Sequence, residues 1–147
     1  MDENKIVPSK IHLTSIKWEK ENTILFTDKL EKSPTYDIIV SHNMMHNLEK
    51  EVVKIRLFLD VNGLIDNTPI EQGGNYEVDF FYKIDDLSDH YQVSNEKPLF
   101  SGIFVSTLLG ISYSTLRGIL FNTWKNTYLS NVILPVIAIP ELLKSKR

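Results

Sequence analysis

The sequence predicts an α+β fold in which the first half of the chain builds an antiparallel sheet and the second half builds helices that cover it. Residues 52–61 and 76–85 each alternate between apolar and polar side chains, which is the pattern of strands with one buried face. Residues 113–125 instead place apolar side chains on a helical arc of roughly 200°, wider than the stripe of an ordinary surface helix. Strands followed by helices are typical of the α+β class.

Two further strands are predicted before the alternating pair. Residues 10–19 predict a bulged or sharply twisted strand, because their apolar positions change phase midway. An extended piece at 23–27 leads to a Ser-Pro pair at 33–34, which favours a turn. The β-branched run 36–45 predicts a second strand, although the HNMMHNLEK sequence that ends it would also suit a helix.

The two alternating segments predict an antiparallel hairpin, because the segment between them, NGLIDNTPIEQGGN, is rich in turn formers. With the turn centred near residues 67–68, Arg56 lies near Asp79 on the outer face. Such a cross-strand pair of opposite charges contributes roughly 0.2–1 kcal/mol. Phe58 and Phe81 share that otherwise charged face, so we expect either a partner or another part of the assembly to cover them.

The second half of the chain predicts a polar surface loop over 85–98, followed by helices. Residues 99–109 predict a short helix that Gly110 ends or kinks. Residues 113–125 predict the main helix, with Ser112 as its candidate N-cap.

The main helix has more apolar surface than one sheet needs. We expect one side of its arc to pack on the sheet and the rest to meet a second subunit, although a helix buried in one thick domain would show the same pattern. Arg117 falls inside the arc, so it requires a carboxylate, backbone carbonyls or a path to solvent. Beyond it, Pro140 suits the first turn of a closing helix. The candidate interface residues are Tyr113, Leu116, Arg117, Leu120, Phe121 and Trp124.

Composition narrows the classes of function. The 147 residues, 42% of them hydrophobic, predict a single domain over 1–147. The net charge of -3 argues against nucleic acid as a partner, and the lack of cysteine suits a reducing cytoplasm. The amino-terminal sequence MDENKIVPSK has no features of a secretory signal. Polar residues and prolines interrupt the apolar segment 127–143, so we expect no membrane insertion.

The residues do not predict a catalytic, cofactor or metal site. His42 and His46 have the spacing of an HExxH pair, but Asn43 replaces the glutamate and no third ligand has a diagnostic spacing. The acidic cluster at 85–90 lacks the spacing of a calcium loop, and the sequence contains no GxSxG elbow. We therefore predict that the chain is not an enzyme.

From residue 52 onwards the predicted elements follow one another in a distinctive order. A long hairpin is followed by a polar loop, a helix carrying YSTLRG, and the segment TYLSNVILPVIAIPELL. In this order the chain resembles the SecB protein-export chaperones and their divergent SecB-like relatives, most closely over 97–143. Arg117 matches an arginine in the main helix of that family, and Thr127 with Tyr128 matches the step that leaves the helix. Pro135 matches a proline in the segment that returns towards the sheet.

The resemblance implies a SecB-like, four-stranded antiparallel sheet with helices packed on one face, assembled as a homotetramer that is a dimer of dimers. It also implies an ATP-independent holdase that binds unfolded or extended polypeptide in apolar grooves and needs no cofactor. On this basis the candidate client-binding residues are Trp18, Phe26, Phe58, Tyr76 and Phe81.

The resemblance leaves two kinds of partner open. The family hands clients to the SecA motor through acidic residues on the sheet face, and Glu19 and Asp79 lie near the matching positions. Ser15 stands where the family has the first residue of an amino-terminal acidic pair, and the last residues, LLKSKR, are basic. Other SecB-like proteins control toxin and antitoxin pairs. The alternative function is therefore that of an interaction module or chaperone dedicated to one partner segment, such as an antitoxin.

Overall fold

Four long strands form an antiparallel sheet in a computed structural model that describes residues 5–24 and 32–147. The order across this sheet places the first and second strands of the chain at opposite edges, as β1-β4-β3-β2. The helices pack on one face, which confirms the predicted α+β class and its four-stranded sheet. The strands are β1 (Ile11–Ile24), β2 (Thr35–Asn47), β3 (Val52–Ile65) and β4 (Thr68–Ile84).

The first strand is bulged, as its change of apolar phase predicts. Its pairing with β4 shifts register between Leu13 and Ser15, and again between Trp18 and Lys20. The HNMMH sequence belongs to β2 and pairs with β3 throughout, so the helical alternative for it is wrong.

The β3–β4 hairpin places Arg56 opposite Asp79, in the register that the sequence predicts. The turn itself lies one residue earlier than predicted, at Asp66 and Asn67, whose φ angles of 50° and 62° are left-handed. A bulge between Asn62 and Leu64 offsets that difference, which is why the predicted register holds despite the misplaced turn.

Residues 85–98 are more ordered than the surface loop that the sequence predicts. A short 3-10 helix (Leu87–His90) leads into a second small sheet made of β5 (Tyr91–Ser94) and β6 (Lys97–Phe100). Asn95 and Glu96 form the tight turn with φ angles of 51° and 63°. The backbone N–H of Ser101 donates to the His90 carbonyl at 2.9 Å, which closes the base of the hairpin.

One continuous helix, α1 (Gly102–Trp124), replaces the two predicted helices. Gly110 does not end it, because the cost of one interior glycine, about 1 kcal/mol, is small against the burial of the whole helix face. A side chain at Gly110 would contact Ile139, so the glycine lies where α1 approaches the closing helix α2 (Ile139–Lys144). The N-cap is Ser101, whose Oγ accepts from the Phe104 N–H at 3.3 Å.

The core lies between α1 and the inner face of β3 and β4. By length and composition alone α1 could also span a membrane, but core helices of globular proteins pass the same test, and eight of its residues are buried within the chain. Ser112 is one of them; instead of capping a helix, its Oγ hydrogen-bonds the Tyr82 hydroxyl at 2.7 Å. Burial raises the pKa of Tyr82 to about 12, so this contact stays neutral.

Candidate peptide-binding surface

Three aromatic side chains connect the β1 edge of the sheet to the end of α1. Half-buried Trp18 meets Tyr76 edge-on, with ring centroids 6.1 Å apart, and Tyr76 lies 5.9 Å from Trp124. The Tyr76 hydroxyl accepts from Trp124 Nε1 at 3.1 Å and hydrogen-bonds Thr23 Oγ1 at 2.6 Å. Gly74 is required beside it, because a Cβ there would overlap the Tyr76 ring.

These contacts separate two of the candidate client-binding residues. Tyr76 is 1% exposed and lies between the two tryptophans, whereas Trp18 is only half-buried on the edge strand β1. Phe26 lies outside the described residues. The client-binding role of all three stays a prediction.

The outer face of the sheet carries the other two candidates, Phe58 and Phe81, both half-buried. Phe81 lies in a cross-strand row with Lys54 and Met45, and Met45 is exposed. Phe58 is covered by the chain itself, because the guanidinium of Arg147 lies 4.2 Å from its ring centroid. A neighbouring element therefore accounts for part of this apolar surface.

An ion pair occupies the row between the two phenylalanines. Arg56 donates from Nε and Nη2 to the two carboxylate oxygens of Asp79 at 2.7 and 2.9 Å, and Lys54 Nζ lies 3.8 Å from the same carboxylate. Burial raises the pKa of Asp79, but the hydrogen bond and charge of Arg56 outweigh it, so the net shift is downward. The side chain of Asp79 is 1% exposed, whereas Glu19 is partly exposed and pairs with Lys17 at 3.1 Å. Of the two candidate SecA-docking residues, Glu19 has more surface to offer, and their docking role stays a prediction.

The strand β2 lies at the edge of the sheet, and there it pairs with the last residues of the chain. The sequence analysis does not predict this contact. The N–H of His42 donates to the Ser145 carbonyl at 3.0 Å, and the N–H of Arg147 donates to the His42 carbonyl at 2.8 Å. Together they form an isolated parallel bridge between His42 and Lys146. His42 Nδ1 also lies 2.9 Å from Ser145 Oγ. The edge of the sheet can therefore accept an extended chain segment.

Most of the candidate interface residues on α1 face the sheet. Tyr113, Leu116, Leu120 and Trp124 are buried in the core, which agrees with the prediction that one side of the arc packs on the sheet. Phe121, by contrast, is 56% exposed.

Arg117 meets one of the partners that the sequence analysis proposes for it, since its Nε donates to the Leu134 carbonyl at 2.9 Å. The segment after α1 leaves further apolar surface open. Its exposed members are Tyr128, Ile133, Val136 and Ile139.

The charged loop after β4 forms ion pairs. Lys10 Nζ lies 2.6 Å from Asp86, and His12 lies 2.9 Å from Asp85. His90 stacks on Phe104 with centroids 4.4 Å apart, and its buried Nδ1 has no hydrogen-bond partner among the residues that the structure describes. Within 5–24 and 32–147, the structure shows no group of three or more His, Asp or Glu residues that could hold a metal ion.

Comparisons with known proteins identify the architecture. No family model matches the sequence, and no curated protein matches it either. Among solved structures, the chain is similar to the Mycobacterium tuberculosis SecB-like chaperone Rv1957, which was solved in complex with a ChAD peptide from the Rv1956 HigA1 antitoxin. The TM-score is 0.64 at 10% sequence identity, over 89% of this chain and 93% of that chain. The chain therefore has the SecB-like fold that its sequence predicts.

Proposed function

From this SecB-like fold, we propose that the chain is a chaperone dedicated to one partner, binding an extended segment of that partner without nucleotide. An antitoxin is the favoured partner. The observation that carries the proposal is the likeness over 89% of the chain to a chaperone whose structure holds an antitoxin peptide.

The surface described above supports this proposal physically. The β2 edge already pairs with an extended segment, and added strands bind through main-chain hydrogen bonds while side-chain contacts select the sequence. Trp18 and Phe81 each offer partly open aromatic surface, whose burial contributes about 25 cal/mol per Å². We propose that Trp18, at the opposite edge of the sheet, and Phe81, on its outer face, contact other parts of the bound segment, with Phe58 and the covered Tyr76 in supporting positions.

Expression of the tagged chain with its genomic neighbours tests the proposal. We expect one partner to co-purify at a fixed ratio, and a single peptide of that partner to reproduce the binding. Trp18→Ala should weaken binding of the peptide at least tenfold, while Lys20→Ala, an exposed change on the same strand, should leave it unchanged. Recovery of many unrelated proteins, or of none, would contradict a dedicated role.

A general holdase is the second candidate, favoured by the apolar surface that the segment after α1 leaves exposed. In that case an equimolar amount of the chain suppresses the aggregation of denatured citrate synthase without nucleotide. A lack of suppression at tenfold excess would exclude it. Hand-over to a SecA motor is a further possibility for such a holdase, and Glu19→Lys should then weaken SecA binding while leaving client binding intact.

We also propose a homotetramer, a dimer of dimers, in a reducing cytoplasm, with no catalytic role. Exposed Phe121 supports assembly, together with Ile103 and Ile111 on the same side of α1. Light scattering should give a mass well above the 17.0 kDa of one chain. Phe121→Glu should lower that mass, whereas Asn126→Glu, exposed beyond the end of α1, should not. A monomer at micromolar concentration would contradict the assembly.

A further inference from the structure

The segment 145–147 occupies the β2 edge with few contacts. Two backbone hydrogen bonds at His42 hold it there, together with the Ser145 hydroxyl on the His42 ring and the Arg147 guanidinium over Phe58. Lys146 and Arg147 are exposed. A contact made by so few residues can open without disturbing the core.

The β2 edge has more backbone N–H and C=O groups than residues 145–147 use. Successive residues of a strand direct their N–H and C=O groups to opposite sides, so Val40 and Met44 present theirs to the same edge as His42. Within the part of the chain that the structure describes, the bridge to 145–147 is confined to His42. A longer extended segment could therefore pair along β2 on both sides of His42.

The chemistry of the site favours a basic strand. The ring of Phe58 receives a guanidinium, and its cross-strand neighbour on β4 is Glu77. Asp60 follows on the same outer face of β3. A segment with an arginine or lysine at the position of Arg147 would meet the same surroundings.

We propose that the β2 edge around His42 is a strand-addition site for an extended basic segment of the partner, and that residues 145–147 compete for it from within the chain. This inference rests on the proposed function and names the chemistry of the partner segment. While residues 145–147 occupy the edge, the partner segment cannot bind there. If they occupy it nine-tenths of the time, the site is free for one-tenth of the time, and the apparent affinity for the partner segment is about tenfold weaker.

The peptide LLKSKR, which corresponds to residues 142–147, serves as the probe for the experiment. It is titrated into the isotope-labelled full chain and into a chain truncated after Lys144, and the His42 amide is followed by NMR. We expect a saturable shift of this amide in the truncated chain, and binding roughly tenfold weaker in the full chain. The peptide with Arg147→Ala should bind more weakly than the peptide with Lys146→Ala, which loses the same charge but no contact with Phe58.

A second variant covers the case in which truncation disturbs folding. Full-length Arg147→Ala loses the guanidinium contact with Phe58 but keeps the backbone hydrogen bonds at His42, and it should bind the unaltered peptide more tightly than the wild type does. Equal binding by the full and truncated chains, or a truncated chain whose His42 amide does not respond, would overturn the proposal. Because the probe is not the partner, that failure leaves the dedicated-chaperone function standing, whereas failure to recover a partner removes both.

Discussion

The Arg56–Asp79 pair allows a sharp test of how the sheet is held together. Asp79→Asn keeps the shape of the side chain but removes its charge, so Arg56 loses two charge-assisted hydrogen bonds. Removing one partner of a fully buried ion pair costs about 3–5 kcal/mol. Because the Arg56 side chain is 24% exposed, water can solvate it in part, and we expect a loss of about 2 kcal/mol.

Urea unfolding at pH 7, followed by the fluorescence of Trp18 and Trp124, measures this loss. The control is Glu141→Gln, because its ion pair spans 3.9 Å with a carboxylate that is 68% exposed. That change should cost less than about 0.5 kcal/mol. If Asp79→Asn were equally mild, the pair would behave as an ordinary surface ion pair, and the reasoning from burial would be refuted.

The pH dependence of the unfolding free energy tests the Arg56–Asp79 pair independently. Arg56 lowers the pKa of Asp79 below its ordinary value of 3.8, so the stabilisation is fully present above that value and disappears as the pH falls through the lower pKa of the folded state. The stability difference between the wild type and Asp79→Asn should therefore be constant near neutrality and shrink only below about pH 4. A difference that shrinks between pH 7 and 5 would assign the effect to another group.

Three further changes test individual contacts by the same urea assay. Tyr76→Phe should cost about 1–2 kcal/mol, because it leaves the buried Trp124 Nε1 without its acceptor; an unchanged midpoint would contradict this. Ser101→Ala should cost about 1 kcal/mol through loss of the cap on the Phe104 N–H, and Ser101→Asp, which can cap again, should restore it. Burial lowers the pKa of His90, so acidification below its ordinary value of 6.5 should destabilise the wild type; His90→Phe, which keeps the stack on Phe104, should reduce that loss between pH 7 and 5.

The sheet was predictable wherever the periodicity was long. The change of phase in 10–19 marks the bulges of β1, and two long alternations bring Arg56 opposite Asp79 although the predicted turn is one residue too late. Alternation reports the face of a strand and says nothing of depth. The alternation of β4 therefore does not reveal that Trp124 and Trp18 cover Tyr76.

Short and tertiary features escaped the sequence analysis for different reasons. The strands β5 and β6 have four residues each, too few to establish a period of two, so 85–98 suggested only a loop. Gly110 breaks a helix by local propensity, but the packing of α1 on the sheet overrides that preference. The bridge at His42 uses backbone groups, which every residue has, so the side chains of 145–147 carried no signal for it.

The surfaces proposed for assembly and for peptide binding lie on different parts of the molecule. The exposed side of α1 carries three apolar side chains, Ile103, Ile111 and Phe121, among small and polar residues, which suits side-chain packing against another copy. The β2 edge offers backbone donors and acceptors beside a ring that receives a cation, which suits an extended and basic chain. Because α1 is held to the sheet by its buried face and residues 145–147 reach β2 beyond α2, a change at Phe121 leaves every contact at His42 in place. Phe121→Glu should therefore lower assembly without changing peptide binding at His42. Truncation after Lys144 should increase peptide binding without lowering assembly.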